Sequence, residues 1–126
     1  MIDDADRKLY ERTLEIAKRA YAPYSNFHVG VLLRARDGTL FEGVNVENAA
    51  YPLGVCAEKS ALVSAASAGA RPGEIAAIGI TASPCGGCRQ WLHEWRVPLV
   101  AFRREDGSIA EYAADELLPD SWDLPG

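Results

Sequence analysis

Residues 55–69, VCAEKSALVSAASAG, form the segment that most restricts what this chain can fold into. The segment is rich in Ala and Val, which predicts a helix that is apolar on nearly all sides and lies against a sheet, with Gly69 as its C-terminal stop. Glu58 falls inside this helix, and a buried carboxylate is costly unless it is neutralised, paired or close to a metal. Because Cys56 stands just before Glu58, the sequence predicts groups at the beginning of the helix that offset the cost of burying this carboxylate.

Apolar spacing predicts further helices on either side of this segment. The first is capped by Asp3 and Asp4 and ends before Pro23. Another begins at Pro84 in PCGGCRQWLHEW, and AADELLP forms a short terminal helix. The first helix is amphipathic, with an apolar stripe of Tyr10, Leu14, Ala17 and Tyr21.

Alternating apolar residues predict a hairpin after the first helix. Its first strand covers Phe27 to Leu33, with Val29 and Val31 on the same face, and its second covers Thr39 to Val46 after the turn RDG. Shorter apolar runs predict strands over residues 74–80, 97–102 and 108–112. This order of elements predicts one α/β domain, residues 1–126, with a mixed sheet of about five strands and helices on its faces.

Charge and length restrict the class of function. A chain of 126 residues is long enough for one domain with a substantial core. Its 13 Lys and Arg residues are scattered among 18 acidic residues, giving a net charge of −5, which argues against a nucleic-acid partner. The charged segment MIDDADRKLY does not resemble a secretory signal, and no apolar run reaches membrane-spanning length, so we expect a cytoplasmic protein without a membrane partner.

The three cysteines are expected to be metal ligands or catalysts, because disulfides are rare in a reducing compartment. Cys56 and Glu58 are roughly 200° apart on an ideal helix, so they converge only at the helix entrance, where the first residue is not yet helical. Cys85 and Cys88 lie on one side of a first turn that begins at Pro84. Two helix N-termini that carry thiols favour a soft divalent metal, and three thiolates with a fourth position for water are typical of catalytic zinc.

Glu58 can act as a general acid and base in such a site. Zinc lowers the pKa of a bound water toward neutrality, and an adjacent carboxylate can take the water proton and pass protons to a ring nitrogen and a leaving group. The alternative interpretation is a carboxylate at a helix start that interacts favourably with the helix dipole.

Several motifs occur in a characteristic order along nearly the whole chain. They are YAPYSNFHVG before the first strand, NVENAAY after the hairpin, CAE at the second helix, PCGGCRQ at the third and ELLPDSW near the C-terminus. Together they resemble the zinc-dependent cytidine deaminase family, in its small three-cysteine branch. The resemblance implies a three-layer α/β/α fold with helices on both faces and one Zn²⁺ per subunit. It also implies hydrolysis of cytidine or 2′-deoxycytidine to the uridine counterpart and ammonia, in pyrimidine salvage.

The resemblance also implies which residues form the metal site. Glu58 matches the proton shuttle. Lys59 and Arg89 stand close in sequence to the ligands and are candidates to offset the negative charge of the thiolates, together with the helix dipoles. The residues that match the zinc ligands are Cys56, Cys85 and Cys88.

The substrate contacts are implied in the same way. Asn45 and Glu47 match the pair that holds the ribose 3′-hydroxyl. Their spacing puts both on one strand face while Val44 and Val46 turn to the core, although an exposed strand end is the alternative. Both ribose and deoxyribose have a 3′-hydroxyl, so these contacts do not rank the two nucleosides. The positions that match contacts to the base are the backbone at Ala57 and the ring of Phe27.

Three further positions match residues that a neighbouring subunit contributes in this family, which is typically homotetrameric. They are Ala49, Tyr51 and Trp122. Aromatic residues such as Phe27 and Tyr51 are otherwise core or interface residues.

The sequence departs from the family pattern near the expected pocket. Lys59 replaces an arginine, Trp122 replaces a phenylalanine, and the loop between Ile80 and Pro84 is short. GVLL, residues 30–33, is expected to add volume near the base pocket or an interface. A related aminopyrimidine nucleoside such as blasticidin S is therefore an alternative substrate.

Two other functions use the same cysteines. A fourth protein ligand would make the zinc structural and the protein a binding module, although neither His28 nor His93 is expected to be that ligand. A thiol oxidoreductase would instead depend on Cys85 and Cys88 but not on Glu58. Deamination of a polynucleotide is disfavoured by the charge and by the missing groove of aromatic and basic residues.

Overall fold

Five strands form one mixed sheet in the computed structural model, which describes residues 4–124. The sheet has the order β2-β1-β3-β4-β5; its β3–β4 pair is parallel and its other three pairs are antiparallel. The strands are β1 (Gly30–Ala35), β2 (Leu40–Val44), β3 (Ile75–Ile80), β4 (Val100–Arg103) and β5 (Ile109–Tyr112). The predicted mixed five-strand sheet is therefore confirmed.

Helices cover both faces of this sheet, as predicted. One face packs against α1 through Leu9 and Ile16, which meet Leu32 and Ala77 of the sheet. The opposite face packs against α2 and α3 in a larger core. The helices are α1 (Asp4–Ala17), α2 (Ala57–Ser67), α3 (Gly86–Glu94) and the short α4 (Ala114–Leu117), and a 3₁₀ turn spans Tyr51–Leu53. Within residues 4–124, no helix combines the length and apolar character needed to span a bilayer.

β1 is a central strand that is buried on both faces. Val31 belongs to the larger core and Leu32 to the core under α1, and neither side chain is exposed to solvent. The prediction that these two residues add volume to a base pocket or an interface is therefore wrong. Successive side chains of a strand point to opposite faces, so both are needed to fill the two cores.

The buried stripe of α1 differs from the predicted one. Leu14 and Tyr21 are 49% and 56% exposed, and the helix ends at Ala17, before Tyr21. Thr13 is fully buried. Its polar hydroxyl tolerates this burial because it donates a hydrogen bond to the carbonyl of Tyr10 in the same helix. The stripe that packs on the sheet consists of Leu9, Tyr10, Thr13 and Ile16. The predicted capping residue Asp3 and the side chain of Asp4 lie outside the described residues.

Two glycines allow the helices to lie directly on the sheet. A Cβ atom on Gly30 would lie 2.4 Å from the carbonyl oxygen of Thr13 in α1. A Cβ atom on Gly43 would lie 2.4 Å from the carbonyl oxygen of Ala57, at the first residue of α2. The close approach at Gly43 fixes the beginning of α2 over strand β2.

The element boundaries near the predicted site are confirmed only in part, because β1 begins at Gly30 rather than Phe27 and β2 ends at Val44 rather than Val46. α2 is followed by Gly69, whose φ of +106° suits a helix stop. α3 begins at Gly86 with Cys85 as its N-cap, so Pro84 precedes the cap rather than being the first helical residue. Val46 is 42% exposed and pairs its backbone with Val55, so the prediction that it turns to the core is wrong.

Candidate active site

Two helix N-termini meet at one end of the sheet, and a cysteine occupies the N-cap position of each. Cys56 has an extended backbone, with φ −73° and ψ 154°, immediately before α2. Cys85 has φ −70° and ψ 171° before α3, and its Sγ accepts a hydrogen bond of 3.4 Å from the backbone N–H of Cys88. The prediction that the first residue of the second helix is not yet helical is confirmed. Ser, Thr, Asp and Asn are the usual N-caps, so two cysteine caps indicate a function beyond helix termination.

The three thiols form a compact cluster. The Sγ atoms of Cys56, Cys85 and Cys88 all lie within 4.8 Å of one another, and those of Cys56 and Cys85 are 3.9 Å apart. Zn–S bonds of about 2.3 Å in a tetrahedral site place two sulfurs roughly 3.8 Å apart, so the cluster fits a zinc ion. In the described part of the chain, no histidine, further cysteine or carboxylate joins these three as a ligand group.

The thiols differ in how readily they ionise. Burial raises the pKa of Cys56 and that of Cys88. Burial also acts on Cys85, but the backbone N–H of Cys88 and the neighbouring thiols outweigh it and lower the pKa of Cys85. The N–H of Cys88 therefore favours the thiolate form of Cys85, and a bound cation favours the thiolate form of all three.

Glu58 lies in the first turn of α2 and is only 4% exposed. Burial raises the pKa of this carboxyl, although its own backbone N–H, the Cys88 thiol and the Lys59 ammonium act in the opposite direction. A raised pKa lets a buried carboxyl hold a proton more readily than an exposed one, which suits a group that transfers protons. The carboxylate that made residues 55–69 unusual thus lies beside the thiol cluster.

A cavity of about 480 Å³ opens in front of the thiols, a size typical of small-molecule sites. Cys88, Ala49, Trp122, Lys59 and Arg89 are not part of its wall. The cavity brings together eight of the residues that the sequence singled out: Phe27, Asn45, Glu47, Tyr51, Cys56, Ala57, Glu58 and Cys85.

Asn45 and Glu47 hold the loop that precedes β1. The Asn45 side chain accepts from the N–H of Val29 at 2.7 Å and donates to the carbonyl of Phe27 at 2.9 Å. A Glu47 oxygen accepts from the N–H groups of Tyr24 at 2.9 Å and Ser25 at 3.1 Å. Both side chains are half-buried, and their hydrogen bonds fix the loop to the end of β2.

Ser25 is a cavity residue that the sequence analysis missed. Its hydroxyl donates to Glu47, and this contact is the main reason that the pKa of Glu47 is lowered. The same oxygen accepts from the N–H of Phe27 at 3.0 Å, a spacing of two residues that is typical of a serine turn. The sequence YSNF carried this turn signal, which could have identified Ser25 as the residue that orders the loop.

The two basic residues near the ligands have different positions. Arg89 donates to the carbonyl of Pro84 at 3.0 Å, the hydroxyl of Ser83 at 3.2 Å and the carbonyl of Leu117 at 3.3 Å. Its guanidinium therefore holds the loop before Cys85. The Lys59 ammonium instead acts on the Glu58 carboxyl and lies close to Gly87 of α3, where an added Cβ atom would be 3.8 Å from Lys59 Nζ.

Three residues matched to a neighbouring subunit lie at the surface. Tyr51 is 91% exposed and Trp122 is 73% exposed, and Ala49 is exposed as well. Tyr51 also lines the cavity of its own chain.

Thiols that hold a cation next to a proton-carrying carboxyl define the class of zinc-dependent hydrolytic enzymes. Comparison with known proteins narrows this class. Residues 3–103 match the family model described as the cytidine and deoxycytidylate deaminase zinc-binding region. The chain belongs to this family, and the resemblance in its motifs is confirmed.

Individual relatives agree with this assignment over most of their length. A cytidine deaminase from Halalkalibacterium halodurans is 39% identical over 119 residues, which cover 88% of this chain and 89% of that protein. The crystal structure of cytidine deaminase from Burkholderia pseudomallei has a TM-score of 0.85 and 44% identity, covering 92% of this chain and 98% of that one. The crystal structure of cytidine deaminase from Mycobacterium leprae has a TM-score of 0.78 and 35% identity, and the match covers 94% of this chain and 100% of that one. The predicted α/β fold and zinc cofactor are confirmed.

Proposed function

We propose that this protein hydrolyses cytidine and 2′-deoxycytidine to the corresponding uridine nucleosides and ammonia. The observation that carries the proposal is the buried Glu58 carboxyl in a cavity wall shared with Cys56 and Cys85. The cavity volume and the relatives named cytidine deaminase support a nucleoside substrate.

In this mechanism one zinc ion would be held by Cys56, Cys85 and Cys88. When bound, zinc supplies a water molecule of lowered pKa as the nucleophile. Glu58 accepts a proton as oxygen adds to C4 of the pyrimidine, and it delivers a proton to N3. Glu58 would then take the remaining proton of the added oxygen and pass it to the amino group, so that the C4 carbonyl forms while the C4–N bond breaks and ammonia leaves. The raised pKa of Glu58 suits both directions of proton transfer.

The remaining cavity residues would orient the nucleoside. We assign the base contacts to the Ala57 backbone and the Phe27 ring, which both line the cavity. We assign the ribose 3′-hydroxyl to Asn45 and Glu47. The lowered pKa of Glu47 keeps its carboxylate ionised as an acceptor for that hydroxyl.

We further propose a homotetramer in which Ala49, Tyr51 and Trp122 contribute to the cavity of a neighbouring subunit. Large apolar side chains exposed around the cavity, including Leu53 at 68%, support a subunit contact there. Light scattering after size-exclusion chromatography would test this, and a monomer at micromolar concentration would contradict it. The three unpaired thiols fit a reducing compartment, so we propose a cytoplasmic enzyme of pyrimidine salvage.

A related aminopyrimidine nucleoside such as blasticidin S is the second candidate substrate. Ala82 and Ser83, in the short loop after β3, line the cavity, so the length of this loop changes the wall that faces the substrate. The charge and the missing basic groove give no support to a nucleic-acid substrate.

Ammonia release from zinc-loaded protein tests the proposal. Cytidine, deoxycytidine, cytosine and blasticidin S would be supplied in parallel. Turnover of cytidine or deoxycytidine is the expected result. Release from blasticidin S alone would favour the second candidate, and release from none of the four would contradict a deaminase of these substrates and favour a structural zinc.

A further inference from the structure

His93 of α3 makes contacts that the proposed reaction does not use. Its side chain is 11% exposed. The Nδ1 atom lies 3.2 Å from Asp115 Oδ1 at α4 and 3.4 Å from Ser121 Oγ, and the Nε2 atom lies 2.9 Å from Asp123 Oδ1. The two residues that flank Trp122 in the sequence therefore both contact one imidazole ring.

The segment around Trp122 depends on such side-chain contacts for its position. Residues 121–124 form neither helix nor strand, and the left-handed φ of 56° at Asp120 turns the chain after α4. Trp122 itself is 73% exposed, so its indole ring adds little burial that would hold the segment. Ser121 and Asp123 thus fasten the chain on both sides of an exposed aromatic residue.

The partners of His93 differ in what they connect. The Asp115 contact joins α3 to α4, whereas the Asp123 contact joins α3 to the C-terminal segment. Because α3 also carries Cys85 and Cys88 at its beginning, the segment is fastened to the same helix as the thiol cluster.

We propose that His93 is a positioning residue that fastens residues 121–123 and so presents Trp122 to the cavity of an adjacent copy of this chain. The inference rests on the proposed function, in which Trp122 acts across a subunit contact. Neither the metal motifs nor the substrate motifs of the sequence include His93 or Asp123.

The test combines a signal from Trp122 with steady-state kinetics on the full-length, zinc-loaded protein. The protein is labelled with 5-fluorotryptophan, and the ¹⁹F resonance of Trp122 is assigned with Trp122→Phe. We expect His93→Gln and Asp123→Ala each to shift that resonance and to raise KM for cytidine about fivefold, the effect of one lost hydrogen bond. We expect kcat to stay within about twofold, because the reacting groups are untouched.

Asp115→Ala is the matched control, because it removes a contact to the same ring but leaves the contact to the C-terminal segment. We expect it to leave the Trp122 resonance in place. An unchanged resonance and KM in Asp123→Ala, while cytidine is turned over, would overturn the inference, and so would equal effects of Asp115→Ala and Asp123→Ala. Asp123 is exposed, so its variant keeps the test valid if His93→Gln does not fold. A shifted resonance in a protein that deaminates no nucleoside would support the fastening and contradict the proposed function.

Discussion

The Sγ atoms of Cys56 and Cys85 lie 3.9 Å apart although the two residues are 29 positions apart in the sequence. Each thiol belongs to the cap of a different helix, so the cluster exists only when α2 and α3 are both docked on the sheet. A cation bound to the cluster therefore joins two parts of the core, and its binding energy contributes to the stability of the fold.

Removal of zinc is expected to destabilise the protein. A chelator should lower the melting temperature by about 5 °C or more, because ligand that binds only the folded state adds to the free energy of unfolding. Differential scanning calorimetry measures the change. Added Zn²⁺ should restore the melting temperature, and Ca²⁺ should not, because thiolates prefer soft cations. An unchanged melting temperature in protein shown to be metal-free would contradict a cation shared by α2 and α3.

Gly43→Ala is expected to displace the beginning of α2. The added methyl group would lie 2.4 Å from the Ala57 carbonyl oxygen and 2.5 Å from the Ala61 backbone nitrogen, so helix and strand must move apart. We expect a loss of about 1–3 kcal/mol in the free energy of unfolding, measured with urea, together with weaker zinc binding.

Gly86→Ala is the matched control for that substitution. A Cβ atom on Gly86 would have no heavy atom within 4 Å, apart from its own chain neighbours and helix backbone, and alanine is the better helix former. Its free energy of unfolding should stay within about 0.5 kcal/mol of that of the unaltered protein. Equal stability of the two variants would show that the close packing of α2 on β2 is not a constraint.

Ser25→Ala is expected to change how stability depends on pH. The Ser25 contacts lower the pKa of Glu47 below its ordinary value of 4.5, so between the lowered value and 4.5 the unfolded chain binds more protons than the folded one. The stability that Glu47 contributes is therefore present above pH 4.5 and is lost as pH falls through the lowered pKa.

Urea unfolding at pH 7 and at acid pH measures this contribution. We expect a smaller acid-induced loss of stability in Ser25→Ala than in the unaltered protein. Ser64→Ala, on the exposed side of α2, is the control and should leave the pH dependence unchanged. Identical pH profiles for Ser25→Ala and the unaltered protein would contradict the hydrogen bond from the Ser25 hydroxyl to Glu47.

The sequence predicted the elements and the chemistry of the site better than it predicted which side chains are buried. The spacing of the cysteines and the carboxylate in an apolar helix are unusual enough that the sequence alone predicted the thiol cluster. Thr13 was missed because a buried hydroxyl can bond within its own helix, which hydrophobic periodicity does not register. Val31 and Leu32 were misplaced because a strand buried on both faces shows no alternation of polar and apolar residues.

Hydrogen bonds between side chains and distant loops were likewise not predicted from the sequence. Arg89 was expected to offset thiolate charge, but its guanidinium donates to three oxygens of the loop before Cys85 and of α4. The contacts of His93 with Ser121 and Asp123 join residues about thirty positions apart and have no periodic signal. Such long-range polar contacts are set by the packing of α3, α4 and the C-terminal segment, which no local sequence pattern encodes.

The turnover of Glu58→Gln at full zinc occupancy tests the central claim most directly. Glutamine keeps the size of the side chain and removes its ability to carry a proton, so the zinc content should stay at one ion per chain. We expect kcat for cytidine to fall by at least about 100-fold, the usual contribution of a general acid and base. Glu94→Gln, on the exposed side of α3, controls for the substitution itself. Turnover close to that of the unaltered protein in a zinc-loaded Glu58→Gln variant would contradict proton transfer by Glu58.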